Sequence, residues 1–262
     1  MYSLKEKYTD NLLVLLLIFT GGGLLFVFNR NLMYYFFLGS LSVVILLNSF
    51  QLKRDLVNSI VFTSLSIISL FLINFYFAIS EQSLDKYLYY FTVVISSILF
   101  YVHFKNNRDN SVFLARLNFV LKMICVHALI NFLAYFFVYD QLFEINSEYY
   151  TCKTYNYLFY YASDEISLSV MNLFGVEFCR NQGLFWEPGV LQVYLNLFFF
   201  LEAFIYKRNR WLLLTGFVIL GTYSTTGILI LIVQLLFLLF QKIKENKLFL
   251  PVIFLSFIPI YF

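Results

Sequence analysis

Apolar runs of about 20 residues, each bounded by charge, recur along nearly the whole chain and dictate its fold class before any other feature is read. A helix rising ~1.5 Å per residue needs roughly 20 apolar residues to cross ~30 Å of hydrocarbon. About nine such spans can be placed. Five run from Asn11 to Phe28, Leu32 to Phe50, Leu56 to Ala78, Tyr87 to Phe104 and Ala115 to Tyr139; a sixth runs from Gly189 to Tyr206. Trp211 to Gln241 carries the seventh and eighth, and Leu248 to Phe262 is the ninth. With 61% hydrophobic and 13% charged residues and a mean hydropathy of +0.78, the composition is too apolar for a soluble domain. The expectation is an all-α, polytopic transmembrane bundle forming one integral membrane domain over residues 1–262. A net charge of +3, scattered in short clusters, sets nucleic-acid binding aside.

Charge decides whether Trp211 to Gln241 is one helix or two. Lys207, Arg208 and Arg210 precede it, and Lys242, Lys244 and Lys247 follow it. A single helix would divide these cations between the two membrane faces, whereas a hairpin keeps all of them on the face where Lys and Arg accumulate. The hairpin turn is expected within the polar, glycine-bounded stretch Gly221, Thr222, Tyr223, Ser224, Thr225, Thr226 and Gly227. Alternate loops then hold Lys5 and Lys7, Lys53 and Arg54, Lys105 and Arg108, and the two triplets, against Arg30, Lys86, Lys153 and Arg180 opposite. This excess predicts a cytoplasmic amino terminus and an extracytoplasmic loop over residues 140–188. Lys5 and Lys7 before an apolar run also resemble a secretory signal, but the run continues past Gly21, Gly22 and Gly23 and reads better as an uncleaved anchor.

The loop is acidic and rich in tyrosine. Tyr149, Tyr150, Tyr155, Tyr157, Tyr160 and Tyr161 suit either platforms for sugar rings or an aromatic belt at the membrane interface. Ser163, Asp164 and Glu165 form a helix start, and Ile166, Val170, Leu173 and Phe174 follow at helical spacing, which predicts a short interfacial amphipathic helix. Cys152 and Cys179 lie in the same loop, where an oxidising exterior permits either a disulfide or two free thiols. Cysteines without His or carboxylate at ligand spacing argue against a metal.

Immediately before the sixth span stand Arg180, Asn181, Gln182, Gly183, Leu184, Phe185, Trp186, Glu187, Pro188 and Gly189. Arg180 offers a planar, permanently charged fork for phosphate or carboxylate, and Gly183 permits close backbone approach. Pro188 suits the first position of a helix. Glu187 before it reads equally as a complement to the helix dipole or as a group that binds or deprotonates a sugar hydroxyl. Gln192 and Asn196, one turn apart, would continue a polar lining below Glu187. In the fifth span Arg116, His127, Asn131 and Tyr135 share a stripe, which suits a cavity lining or hydrogen bonds to another helix. Lys122, on a different face, could pair with Glu202, and His103 reads as interfacial.

At these residues the chain resembles the bacterial O-antigen and capsule polysaccharide polymerases of the Wzy type, relatives of the O-antigen ligases. The resemblance rests on Arg180 with Gly183, Phe185, Glu187 and Pro188, and on a hydroxyl-rich turn between later spans, here Tyr223, Ser224, Thr225, Thr226 and Gly227. It covers roughly residues 115–240. It implies a bacterial cytoplasmic-membrane protein and a cofactor-free, metal-independent glycosyl transfer from undecaprenyl pyrophosphate at the outer leaflet. It also implies membrane lipids, a chain-length regulator and a flippase as partners. Arg180 and Glu187 are then the catalytic candidates. Gly183, Trp186, Gln192, Asn196, Ser224, Thr225, Thr226 and His127 are the substrate-binding ones. Family members continue with further spans, so the chain reads as a fragment relative to them. The rival readings are a ligase with a lipid acceptor, a polysaccharide flippase or transporter, and a membrane scaffold without chemistry.

Overall fold

The computed structural model describes residues 4–24, 35, 38–42, 54–78, 84–107, 110–146, 151–162, 170–173 and 176–245. Seven α-helices are defined among them: α1 (Leu4–Thr20), α2 (Arg54–Phe77), α3 (Leu84–Asn107), α4 (Asn110–Val138), α5 (Pro188–Phe200), α6 (Leu212–Gly221) and α7 (Thr225–Glu245). Four stretches among the described residues are long and apolar enough to cross a membrane: Ile60–Phe77, Ser111–Gln141, Pro188–Ile205 and Thr225–Lys242. Val94–Lys105 and Asn209–Gly221 are shorter apolar helices. Of the nine expected spans, most of Leu32 to Phe50 and all of Leu248 to Phe262 lie outside the described residues.

The contacts divide the chain into two compact units, Met1–Val120 and Leu121–Phe262, with the division falling inside α4. In the first unit, no residue of the Ile60–Phe77 window is buried, as suits a helix whose solvent is lipid. His103 was expected at an interface; instead it is fully buried and meets Asp10 at 3.0 Å between its Nε2 and a carboxylate oxygen.

The second unit contains the expected hairpin. α6 and α7 are broken at Thr222 to Ser224, where Tyr223 takes a φ of +52°, and they fold back so that Gly216 faces the Leu231 side chain. α5 packs against both helices. It ends in a π-helical turn, Leu201–Ile205, that buries Glu202, while the Lys122 ammonium lies 4.5 Å over the Trp211 ring. The cation–π contact occupies Lys122 where a pair with Glu202 was expected.

The loop is not helical where it is described. It forms a three-stranded antiparallel sheet, β1 (Phe143–Asn146), β2 (Thr151–Tyr155) and β3 (Phe159–Ala162), and a separate hairpin, β4 (Val170–Leu173) with β5 (Val176–Cys179). The expected interfacial helix is therefore wrong at Val170 and Leu173, which pair with Cys179 and Val176; Ser163 to Ile166 lie outside the described residues. Spacing alone misled here, because a short apolar segment carries the same residues in either period and strand pairing with the next segment decides.

Cys152 and Cys179 are both free and buried. The backbone explains why they do not bridge. Cys152 pairs with Ala162 on β3, and Ala162 in turn donates to the Arg180 carbonyl, so β3 lies between the two cysteines. Two strand spacings of ~4.8 Å put their backbones roughly 10 Å apart, beyond the ~7 Å that a disulfide can span.

Candidate functional site

Three of the four expected stripe residues on α4, His127, Asn131 and Tyr135, face the loop. Over two turns, His127, Asn131 and Tyr135 meet successive residues around β3. The Nε2 atom of His127 lies 3.2 Å from the Leu158 carbonyl. Asn131 donates to the Tyr160 carbonyl and accepts from the Tyr160 amide, both at 3.0 Å. Tyr161 donates its hydroxyl to the Asn131 carbonyl at 2.7 Å, and its ring packs edge-on against Tyr135. His127 thus holds the loop against the helix.

Asn131 also reaches the segment before α5. Its Nδ2 donates to Oδ1 of Asn181 at 2.7 Å; the same Oδ1 accepts the Gly183 amide at 3.1 Å, and the Asn181 Nδ2 donates to the Ala128 carbonyl at 2.8 Å. The Asn181 amide donates to the Gly221 carbonyl at the end of α6. One buried asparagine therefore ties together α4, the pre-α5 segment and the hairpin turn. Such networks are strong only when every member is satisfied, and here the Asn181 side chain uses both its donor and its acceptor.

Arg180 is the next residue. Its Nε donates to the Thr222 carbonyl at 3.2 Å, which brings together the two segments singled out in the sequence. The terminal amino groups make no hydrogen bond to a described residue, and the side chain is partly exposed. Among the described residues the guanidinium is thus positioned by one nitrogen, and its two-pronged donor end has the geometry that suits an anion.

The chain matches no protein-family model, no curated protein and no solved structure. The site therefore stands on its own geometry.

The remaining expected residues divide between exposure and packing. Glu187 is the N-cap of α5: its carbonyl accepts from Val190 and Leu191, and Pro188 takes the first turn as expected. Its side chain makes no capping hydrogen bond and folds over Gly189. Trp186 is exposed beside it, and Thr225 and Thr226 are exposed on the first turn of α7. Ser224 is buried, with its Oγ 3.4 Å from the Gly227 amide and its carbonyl accepting from Ile228, so it starts α7. Gly183 has a φ of +57° and lies against Leu191 and Ala128, so it makes a packed left-handed turn. Gln192 and Asn196 are buried glue between helices: Asn196 donates to Gln192 and to the Gly227 carbonyl, and Gln234 donates back to Asn196.

Sequence reasoning missed Asn181 as the organising residue, although it stands beside Arg180 and two residues before Gly183. Burial pushes the Cys152 thiol up to about 11 against the opposing effect of a hydrogen bond with Gln182, so it remains a neutral packing group at ordinary pH. Among the described residues, no cluster of three or more His, Cys, Asp and Glu could hold a metal ion.

The helix that carries His127, Asn131 and Tyr135 is long and apolar enough to cross a membrane. Ser111–Gln141 is a 31-residue window. That is ~45 Å of helix, more than the ~30 Å that hydrocarbon requires.

Proposed function

We propose that the chain is a membrane glycosyltransferase that polymerises undecaprenyl-pyrophosphate-linked oligosaccharide repeat units at the outer face of a bacterial cytoplasmic membrane, with its amino terminus cytoplasmic. The observation that supports this reading is the Arg180 guanidinium held on the Thr222 carbonyl, beside the turn between α6 and α7. A lipid-linked diphosphate stays at the membrane surface because its polyprenyl chain remains in the bilayer. In the transfer, an acceptor sugar hydroxyl attacks the anomeric carbon, the bond to the diphosphate oxygen breaks, and undecaprenyl pyrophosphate leaves with the bonding pair. Negative charge grows on the leaving group, and the two terminal amino groups of Arg180 stabilise it. Glu187, beside the exposed Trp186, binds a sugar hydroxyl or accepts the acceptor's proton.

Changing Arg180 to Ala in cells that depend on this protein for their polymer should abolish long chains on a gel and leave the protein inserted at wild-type level. Unchanged chain lengths would overturn the assignment.

A further inference from the structure

Three apolar stretches of the second unit meet at one end. α6 and α7 fold back from their turn with Gly216 facing Leu231, so Trp211 and Lys242 lie ~7.5 and ~16.5 Å from that level, both on the side away from the turn. The π-helical end of α5 stops at Ile205, and Lys207, Arg208 and Arg210 fill the connection to α6. The other end of the same hairpin is the turn whose Thr222 carbonyl holds Arg180.

Cations gather where the stretches meet. Lys207, Arg208, Arg210 and Lys242 are exposed, and Lys122 of α4 reaches the same place with its ammonium over the Trp211 ring. The Arg208 guanidinium lies 5.1 Å over the Tyr206 ring. A ring face attracts a cation but supplies no anionic oxygen. Between Pro188 and Lys244 the only acid in the sequence is Glu202, which is buried, and among the described residues no carboxylate pairs with any of these five cations. The connection is also held in shape. The Tyr206 amide donates to the Leu201 carbonyl and the Arg208 amide to the Glu202 carbonyl, both at 2.8 Å, and Lys207 keeps a φ of +52°.

Apolar surface borders the charges. Within three residues of them, Leu213 is 88% exposed and Phe240 62%. A free anion would make no use of those side chains, and a polyanion such as nucleic acid would leave them in water. An amphiphile with a negative head satisfies both halves of the surface, and clusters of four or more Lys and Arg at the end of apolar helices attract such heads.

We infer that Lys122, Lys207, Arg208, Arg210 and Lys242 form a binding site for the headgroup of an anionic phospholipid, with its phosphate among the cations and its acyl chains along Leu213 and Phe240. The site is separate from Arg180 and independent of the proposed transferase activity.

The test titrates the full chain, in neutral detergent, with phosphatidylglycerol or phosphatidylcholine and counts retained lipid by native mass spectrometry. Phosphatidylglycerol should bind at least about tenfold more tightly. Arg208→Gln combined with Arg210→Gln should remove most of that preference, whereas Lys153→Gln on β2, an exchange of charge elsewhere, should leave it intact. Equal binding of the two lipids would overturn the site, as would a preference that survives the double substitution or falls equally with Lys153→Gln. A second measurement needs no change in charge. The chain has two tryptophans, so Trp186→Phe leaves Trp211 as the reporter, and its emission should change with phosphatidylglycerol but with neither phosphatidylcholine nor inorganic phosphate at the same concentration. No change with phosphatidylglycerol, or an equal change with inorganic phosphate, would overturn the assignment.

Discussion

Asn131 and Asn181 meet side chain to side chain at 2.7 Å, across 50 residues of sequence, in a fully buried position. Replacing Asn181 by Leu removes the Oδ1 that serves both the Asn131 amide and the Gly183 N–H, and leaves the Ala128 carbonyl without its side-chain donor. Buried groups left unserved cost ~1–3 kcal/mol each, so Asn181→Leu should destabilise by about 3 kcal/mol or more. A fall of several degrees in the unfolding temperature in detergent checks this. A change as small as that of Thr225→Ala, at an exposed position, would show the network to be dispensable.

Arg180 and Lys should not be interchangeable. The Nε bond to the Thr222 carbonyl fixes the guanidinium and leaves two parallel donors, whereas a lysine has one ammonium to spend on either the carbonyl or the anion. Arg180→Lys should retain the fold and lose at least about tenfold in polymer formation, equivalent to ~1.4 kcal/mol of transition-state stabilisation. Polymer yield per inserted protein is the measurement, and wild-type yield in the lysine variant would argue for a charge-only role.

The helices were legible because their signal is long. Apolar runs bounded by charge specified α2 to α5, and the clusters around Lys207 and Lys242 distinguished a hairpin from one long helix. The charge asymmetry put Arg180 and the hairpin turn on one side without saying that they touch, and their contact through the Thr222 carbonyl came from the fold. The loop was not legible. Val170 and Leu173 satisfy helical spacing, yet they are strand residues because Val176 to Cys179 is there to pair with them, and pairing partners leave no mark within a short window. Nor could spacing show that Gln192, Asn196 and Gly183 face protein, because a polar lining and interhelical glue use the same residues. His103 misled for a related reason: its partner Asp10 is 93 residues away.

Two glycines should tolerate alanine differently. A Cβ on Gly221 would approach the Phe132 ring at 2.6 Å, and one on Gly227 would approach the Gln192 Oε1 and Cβ at 2.8 and 2.9 Å. The Phe132 ring belongs to a partly buried side chain and can be trimmed, whereas Gln192 is clamped between α5 and α7 by Asn196. Each alanine should cost about 1–3 kcal/mol by overpacking. Phe132→Leu should recover most of the loss at Gly221 and none at Gly227, which a double-mutant cycle on thermal stability reads directly.

Cys152 provides a test at high pH. Its thiol titrates near 9.0 when unfolded and is raised to about 11 by burial in the fold. Between those values the unfolded chain gives up its proton while the folded one keeps it, so the folded state binds more protons and stability must fall as pH rises. The contribution of the neutral thiol is complete below pH ~9 and is lost toward pH ~11. A Cys152→Ala variant should show a shallower loss of stability across that window than the wild type. At pH 8 a maleimide should leave Cys152 unmodified in the folded protein and label it after denaturation, read by mass spectrometry. Rapid labelling in the folded state would mean that the Cys152–Ala162 pairing opens on the timescale of the reagent, and the closed sheet edge beside Arg180 would then be transient.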